Sequence, residues 1–267
     1  MTTEPPPPEE RAMRVWSLGS YPDIAPHFLS MAAHLVESTA VTEGETVLDV
    51  ACGTGNVALT AARRGATVTG LDLVPTMLEV ARENATIADV DVEWHEGTAT
   101  DLPFDDDTFD VTLSCVGHMF AEPPDDAARE LLRVTRSSGT VGFTSWTPSS
   151  VVPAMGAVVR EYLPPNPNAP DPPSLWGDSA VVRDRIGSGV DEITFETASV
   201  LIPALSPEHY WESATTESGL FIVALEPIDQ ADRPALRDET VETIGRYFDD
   251  HRNCVPMEYL LTKATVA

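Results

Sequence analysis

Val47-Leu48-Asp49-Val50-Ala51-Cys52-Gly53-Thr54-Gly55-Asn56 decides the fold of this chain. An apolar run ending in a carboxylate predicts a buried strand over Thr46–Val50. Gly53 and Gly55 then permit a sharp turn and close approach of a ligand. Asn56, a good N-cap type, opens a helix reaching about Arg64, with Gly65 placed to stop it. Such a turn at the carboxyl end of a strand is where open α/β sheets bind nucleotide-like cofactors.

Outward from that turn, strands and helices alternate. Ala66–Leu73 is β-rich, and Pro75 starts a helix running to about Asn84. Strands follow at Val90–Trp94, Phe109–Cys115 and Gly139–Trp146, with a helix over Asp125–Arg136. This βαβ spacing predicts an α/β, doubly wound sheet, mostly parallel, with helices on both faces. Phe28, Met31, Ala32, Leu35 and Val36 mark an amphipathic helix ahead of it. We expect a disordered leader over 1–12, N-terminal helices or a lid over 13–45, and a cofactor-binding core over 46–146. A proline-rich insertion or cap at 147–190 follows, and 191–267 complete the same domain. In that last part we expect strands at Ile193–Ile202 and Met257–Val266, with helices from Pro207 and around Leu236–Phe248.

The chain has 267 residues, a formal net charge of −27, and Lys263 as its lone lysine. That charge disfavours nucleic acid and anionic membranes as partners. The acidic residues are spread along the chain, as on a solvated surface adapted to high salt. No apolar run approaches the ~20 residues needed to span a bilayer, and Met1–Glu10 lacks the features of a secretory signal. Cys52, Cys115 and Cys254 are isolated, so neither disulfides nor a metal site are expected. We expect a cytoplasmic monomer or homodimer.

Gly53-Thr54-Gly55-Asn56-Val57-Ala58 formally fits the dinucleotide pattern G-x-G-x-x-A. Asp72 stands about 20 residues on, where a ribose diol would need it. Asp49 argues against NAD, because a carboxylate beside a pyrophosphate is unfavourable, whereas it suits an ammonium. S-adenosylmethionine carries the ribose, the adenine and the ammonium, and no phosphate.

At these residues the chain resembles the class I S-adenosylmethionine-dependent methyltransferases, most closely the type 11 group related to quinone-biosynthesis C-methyltransferases. The resemblance runs through Val47–Asn56, Gly70-Leu71-Asp72-Leu73 with Pro75 and Met77, and Glu96-Gly97-Thr98-Ala99 with Leu102-Pro103-Phe104. It continues in Phe109-Asp110-Val111, Glu130–Val134 and Gly139. Trp16–Tyr21 and Ser145–Pro148 add a looser likeness to uncharacterised bacterial and archaeal methyltransferases. The resemblance implies a Rossmann-like sheet with an antiparallel last strand. It implies that Asp49, Ala51, Gly53 and Gly55 line the methionine end, beside Asn56, and that Asp72 takes the ribose hydroxyls. Leu73 and Met77 would flank the adenine, Thr98 and Ala99 would meet its edge, Ser114 would lie beneath the cofactor, and Tyr21 would close over it. Where this family commonly has aspartate, the chain has Thr98, an acceptor without charge assistance. Met77 and Tyr21 also suit plain packing, and Asp72 a helix cap.

The segment Ser114–Phe120 lacks the Asn/Asp-Pro-Pro-Tyr run that nucleobase and glutamine N-methyltransferases of the family carry. That absence, with the acidity, argues against nucleic-acid methylation, and the apolar content of the loop and insertion favours a small apolar or aromatic acceptor. Met119, Phe120, Met155, Tyr162, Leu175 and Trp176 suggest a hydrophobic pocket, with His209, Tyr210 and Trp211 near it. His118 is the candidate general base by location, or else a polar lining residue. A NAD-type oxidoreductase and a non-catalytic cofactor-binding protein are the alternatives.

Overall fold

A computed structural model describes residues 6–166 and 170–267. In chain order the elements are α1 (Pro8–Trp16), α2 (Tyr21–Ile24), a 3-10 turn (Ala25–Phe28), α3 (Leu29–Ser38), β1 (Thr46–Val50), α4 (Asn56–Ala62), β2 (Thr67–Asp72), α5 (Pro75–Ala88) and β3 (Glu93–Glu96). Then come β4 (Phe109–Cys115), α6 (Pro124–Val134), β5 (Thr135–Trp146), α7 (Val151–Glu161), a 3-10 turn (Pro173–Gly177) and α8 (Ser179–Ile186). The chain closes with β6 (Val190–Pro203), α9 (Pro207–Glu217), α10 (Gly219–Leu225), α11 (Arg233–Gly245) and β7 (Cys254–Val266).

The strands form one seven-stranded sheet in the order β3-β2-β1-β4-β5-β7-β6. Strands β1 to β5 pair in parallel, and β7 runs antiparallel to both β5 and β6. The doubly wound Rossmann-like sheet with an antiparallel last strand is thus the fold of this chain. Its central strands are apolar on both faces because helices cover both: Val47, Leu48, Val50, Val111 and Leu113 are at most 2% exposed. The chain leaves β1 toward β2 on one side and returns to β4 on the other. A crevice therefore opens at the carboxyl ends of β1 and β4, the switch point where such sheets bind ligands.

Several boundaries differ from the sequence expectations. Helix α5 continues to Ala88, because 84–88 hold no breaker and Asp89 ends it in a left-handed conformation (φ 54°). That pushes β3 to Glu93–Glu96. Helix α1 starts at Pro8, inside the expected disordered leader, since proline is tolerated in a first helical turn; Met1–Pro5 lie outside the described residues. The segment 147–190, expected as a proline-rich insertion or cap, carries α7, the 3-10 turn Pro173–Gly177 and α8 between β5 and β6. It buries Trp176 to 1% exposure, and Asp178 caps α8 by accepting from the Ala180 amide at 2.8 Å. Residues 167–169 of its proline run lie outside the described residues. Among the described residues, no helix is long and apolar enough to cross a membrane, and no cluster of side chains is arranged to hold a metal.

Candidate functional site

The loop after β1 is built from backbone. Ala51, Gly53 and Gly55 all take positive φ (54°, 54° and 91°), and the Gly55 amide closes a tight turn onto the Cys52 carbonyl at 2.9 Å. A side chain at Gly55 would strike the Trp94 ring, its Cβ coming within 2.9 Å. Asn56 does not cap α4, as the sequence suggested; Gly55 holds the cap position, and the Asn56 Nδ2 donates to the Ala25 carbonyl at 2.7 Å, tying α4 to the turn above it.

Asp49 does the capping instead. Its Oδ2 accepts from the Ala58 amide at 2.9 Å, in the first turn of α4. Its Oδ1 has no hydrogen-bond partner, although the residue is only 1% exposed and lines a cavity. Burial pushes the Asp49 pKa up to about 8; the Ala58 bond opposes this, and the nearby Asp72 adds to it. Asp72, at the end of β2, accepts from the Gly53 amide at 2.7 Å and the Val74 amide at 2.9 Å. Burial raises its pKa as well, against those backbone bonds. One carboxylate thus braces the glycine loop while the other presents an unpaired oxygen.

The cavity gathers most of the expected residues: Tyr21, Asp49, Ala51, Gly53, Asn56, Asp72, Leu73, Met77, Thr98 and Ala99 all line it. Tyr21 stands over the loop, close enough that a Cβ on Gly53 would touch its ring at 3.4 Å. The Thr98 hydroxyl is 2.9 Å from that of Thr100.

Three expected residues are elsewhere. Gly55 packs toward Trp94 rather than the cavity. The fully buried Ser114 donates to the Val50 carbonyl at 2.7 Å, stapling β4 to β1; strand alternation turns Cys115, not Ser114, to the cavity. His118 does not line the cavity, which corrects its assignment as base. It is 0% exposed, with Phe143 and Trp176 at centroid distances of 4.6 and 4.7 Å, and burial lowers its pKa to about 3, with Arg185 adding to the shift. Of the residues expected to form a hydrophobic pocket, Phe120 lines the cavity, while Met119, Met155 and Trp176 are core. Tyr210 lines it too, but His209 turns out to accept from the Leu205 amide at 3.1 Å, and Trp211 is not on the wall.

The rest of the wall comes from segments far apart in sequence. Trp16 packs edge-on against Phe120 at 4.9 Å and Tyr21 at 5.9 Å. Phe28 packs on Trp146 at 5.8 Å, and Met31, Tyr210, Phe221 and Met257 extend the apolar surface, with His27 at its edge. The sequence signalled part of this: Phe120 and Tyr210 were expected at the pocket, and the Trp16–Tyr21 and Ser145–Pro148 likenesses cover Trp16 and Trp146.

Comparison with known proteins agrees with this geometry. A family model described as a methyltransferase domain matches residues 47–139. An uncharacterised protein of Mycobacterium tuberculosis is 39% identical over 197 residues, covering 71% of this chain and 72% of that protein. The demethylmenaquinone methyltransferase of Clavibacter sepedonicus is 39% identical over 104 residues, 39% of this chain and 42% of that enzyme. Among solved structures, a putative methyltransferase from Bacillus halodurans superposes with a TM-score of 0.59 at 21% identity, covering 88% of this chain and 98% of that one.

Proposed function

We propose that this chain, which belongs to the methyltransferase-domain family, moves a methyl group from S-adenosylmethionine to a small apolar or aromatic acceptor. Bound at the switch point, that cofactor supplies an electrophilic methyl carbon on a sulfonium. The observation carrying the reading is the buried, unpartnered Oδ1 of Asp49, a residue that lines the cavity. A buried carboxylate oxygen without a donor is costly, and an ammonium relieves that cost.

The other floor residues fit the same ligand. Each Asp72 oxygen holds one backbone bond and keeps a lone pair for a ribose hydroxyl. Leu73 and Met77 flank the adenine, and Thr98 and Ala99 meet its edge. Tyr21 and Trp16 close the site and exclude water. The apolar wall from Phe28 to Met257 holds the acceptor in line with the methyl group, and such orientation alone supplies several kcal/mol. No residue needs to bond covalently to either partner.

The dinucleotide alternative meets a specific obstacle. A pyrophosphate binds at a helix N-terminus, and Asp49 already occupies that end of α4 through the Ala58 amide. Incubation with S-adenosylmethionine and a panel of phenols and quinones tests the reading. Acceptor-dependent release of S-adenosylhomocysteine supports it; tight cofactor binding without turnover on any acceptor favours a non-catalytic binding protein.

A further inference from the structure

The cavity has carboxylates and no cation. Among the described residues, no lysine or arginine lines it, whereas Glu9, Asp49, Asp72 and Glu122 do. Arg11, beside the rim, is held by Glu122 at 2.7 Å. The chain as a whole carries −27. An anionic acceptor would enter against that field and find no lysine or arginine side chain to pair with, and a buried anion without such a partner is expensive. An uncharged acceptor meets only the apolar wall.

An uncharged hydroxyl acceptor has a proton to lose as it becomes a nucleophile. The tyrosine and cysteine groups on the wall keep their own protons: burial raises the pKa of Tyr21, Tyr210, Cys52 and Cys115. Asp49 caps α4 and is assigned to the cofactor ammonium, Asp72 is bonded to the loop backbone, Glu122 is paired with Arg11, and Glu9 sits on α1, which has no buried residue. His27 remains. It lies on the turn Ala25–Phe28 and precedes Phe28, whose ring packs on Trp146. Its imidazole makes no hydrogen bond or ion pair among the described residues, and histidine is the side chain suited to taking a proton near neutral pH.

We propose that the acceptor is an uncharged apolar molecule bearing a phenolic or enolic hydroxyl, and that the imidazole of His27 takes the hydroxyl proton during methylation. The acceptor oxygen forms its bond to the methyl carbon as its proton passes to an imidazole nitrogen. The electron pair of the broken carbon–sulfur bond stays on sulfur, so the cofactor's positive charge is lost and His27 gains one. This rests on the methyl-transfer reading above.

The test uses a hydroxynaphthoate and its uncharged methyl ester, titrated into the protein loaded with S-adenosylhomocysteine. Quenching of Trp16 and Trp146, both on the wall, reports binding without turnover. The ester is expected to bind about tenfold or more tightly than the free acid. Equal or tighter binding of the acid, or no binding of either, overturns the proposed acceptor class. With S-adenosylmethionine and the ester, His27→Ala is expected to lower kcat by about a hundredfold or more. The variant should lose far more in kcat than in ester affinity and regain rate on adding imidazole. An unchanged kcat, or a loss that imidazole does not restore, removes His27 from the chemistry. Failure to bind S-adenosylhomocysteine at all would instead sink the cofactor reading, and this proposal with it.

Discussion

Replacing Asp49 by asparagine separates what its carboxylate does for folding from what it does for the ligand. The side chain is 1% exposed, one oxygen bonds the Ala58 amide, the other bonds nothing, and burial holds its pKa at about 8. The folded pKa lies above the ordinary value of 3.8, so the folded state binds this proton more tightly than the unfolded one. The group's contribution to stability is complete below about pH 4 and is lost as pH rises toward 8. At pH 7 that loss amounts to about 4 kcal/mol at most, at ~1.4 kcal/mol per pH unit. Asparagine resembles the protonated acid, keeps an oxygen for Ala58, and leaves an amide NH2 unpaired at about 1–3 kcal/mol. The free variant should therefore be as stable as the parent at pH 7 or up to a few kcal/mol more so. Its affinity for S-adenosylhomocysteine should fall by about ten- to a hundredfold, the worth of a hydrogen bond to a charged group. Since an ammonium favours the ionised carboxylate, the parent should release close to one proton on binding at pH 6.5, and the variant none. Calorimetry in two buffers of different ionisation enthalpy measures both quantities. Equal affinity in the two proteins, or no proton release by the parent, would refute the assignment of Asp49 to the ammonium.

Asp72→Ala should weaken cofactor binding by about 1 kcal/mol or more and also lower the thermal midpoint, since the Gly53 and Val74 amides lose their acceptor; lost affinity with unchanged stability would contradict the bracing role. His118 is buried neutral with its pKa lowered to about 3 from 6.5, so the unfolded state takes up its proton first. Its contribution is full above pH 6.5 and lost as pH falls toward 3, and His118→Phe should make urea stability less sensitive to acid across that window. Gly70→Ala brings a Cβ to 2.5 Å from the Trp94 ring and should cost about 1–3 kcal/mol of unfolding free energy by overpacking. A neutral result in urea titration would mean that Trp94 moves freely.

The floor of the site was legible because its residues are local. Asp49, the glycine turn and the start of α4 are contiguous, and Asp72 ends the next strand, which pairs in parallel with β1 and so brings it beside them. The wall was not legible, since it is assembled from α1, the turn before α3, and the ends of β5, β6, α9 and β7. No local pattern links Trp16, Trp146 and Tyr210. The misplaced residues have identifiable causes. Ser114 and Cys115 occupy alternate faces of β4, and only Cys115 faces the cavity. Gly117 lies so close to Ala51 that a Cβ there would come within 2.5 Å, and the following turn carries His118 inward among Phe143 and Trp176. In the fold, proline at the first turn hid α1, and Pro153 with Gly156 hid α7, although Met155 and Val159 are buried at helical spacing. Asn56 looked like a cap because its type and position fit, but a carboxylate from the preceding strand was close enough to serve.

The central claim is that this switch point holds S-adenosylmethionine. Titrating the protein separately with S-adenosylmethionine and with NAD in a calorimeter tests it most directly. The account predicts saturable binding of S-adenosylmethionine, one per chain, and no detectable heat from NAD. Tight binding of NAD with no response to S-adenosylmethionine would contradict it.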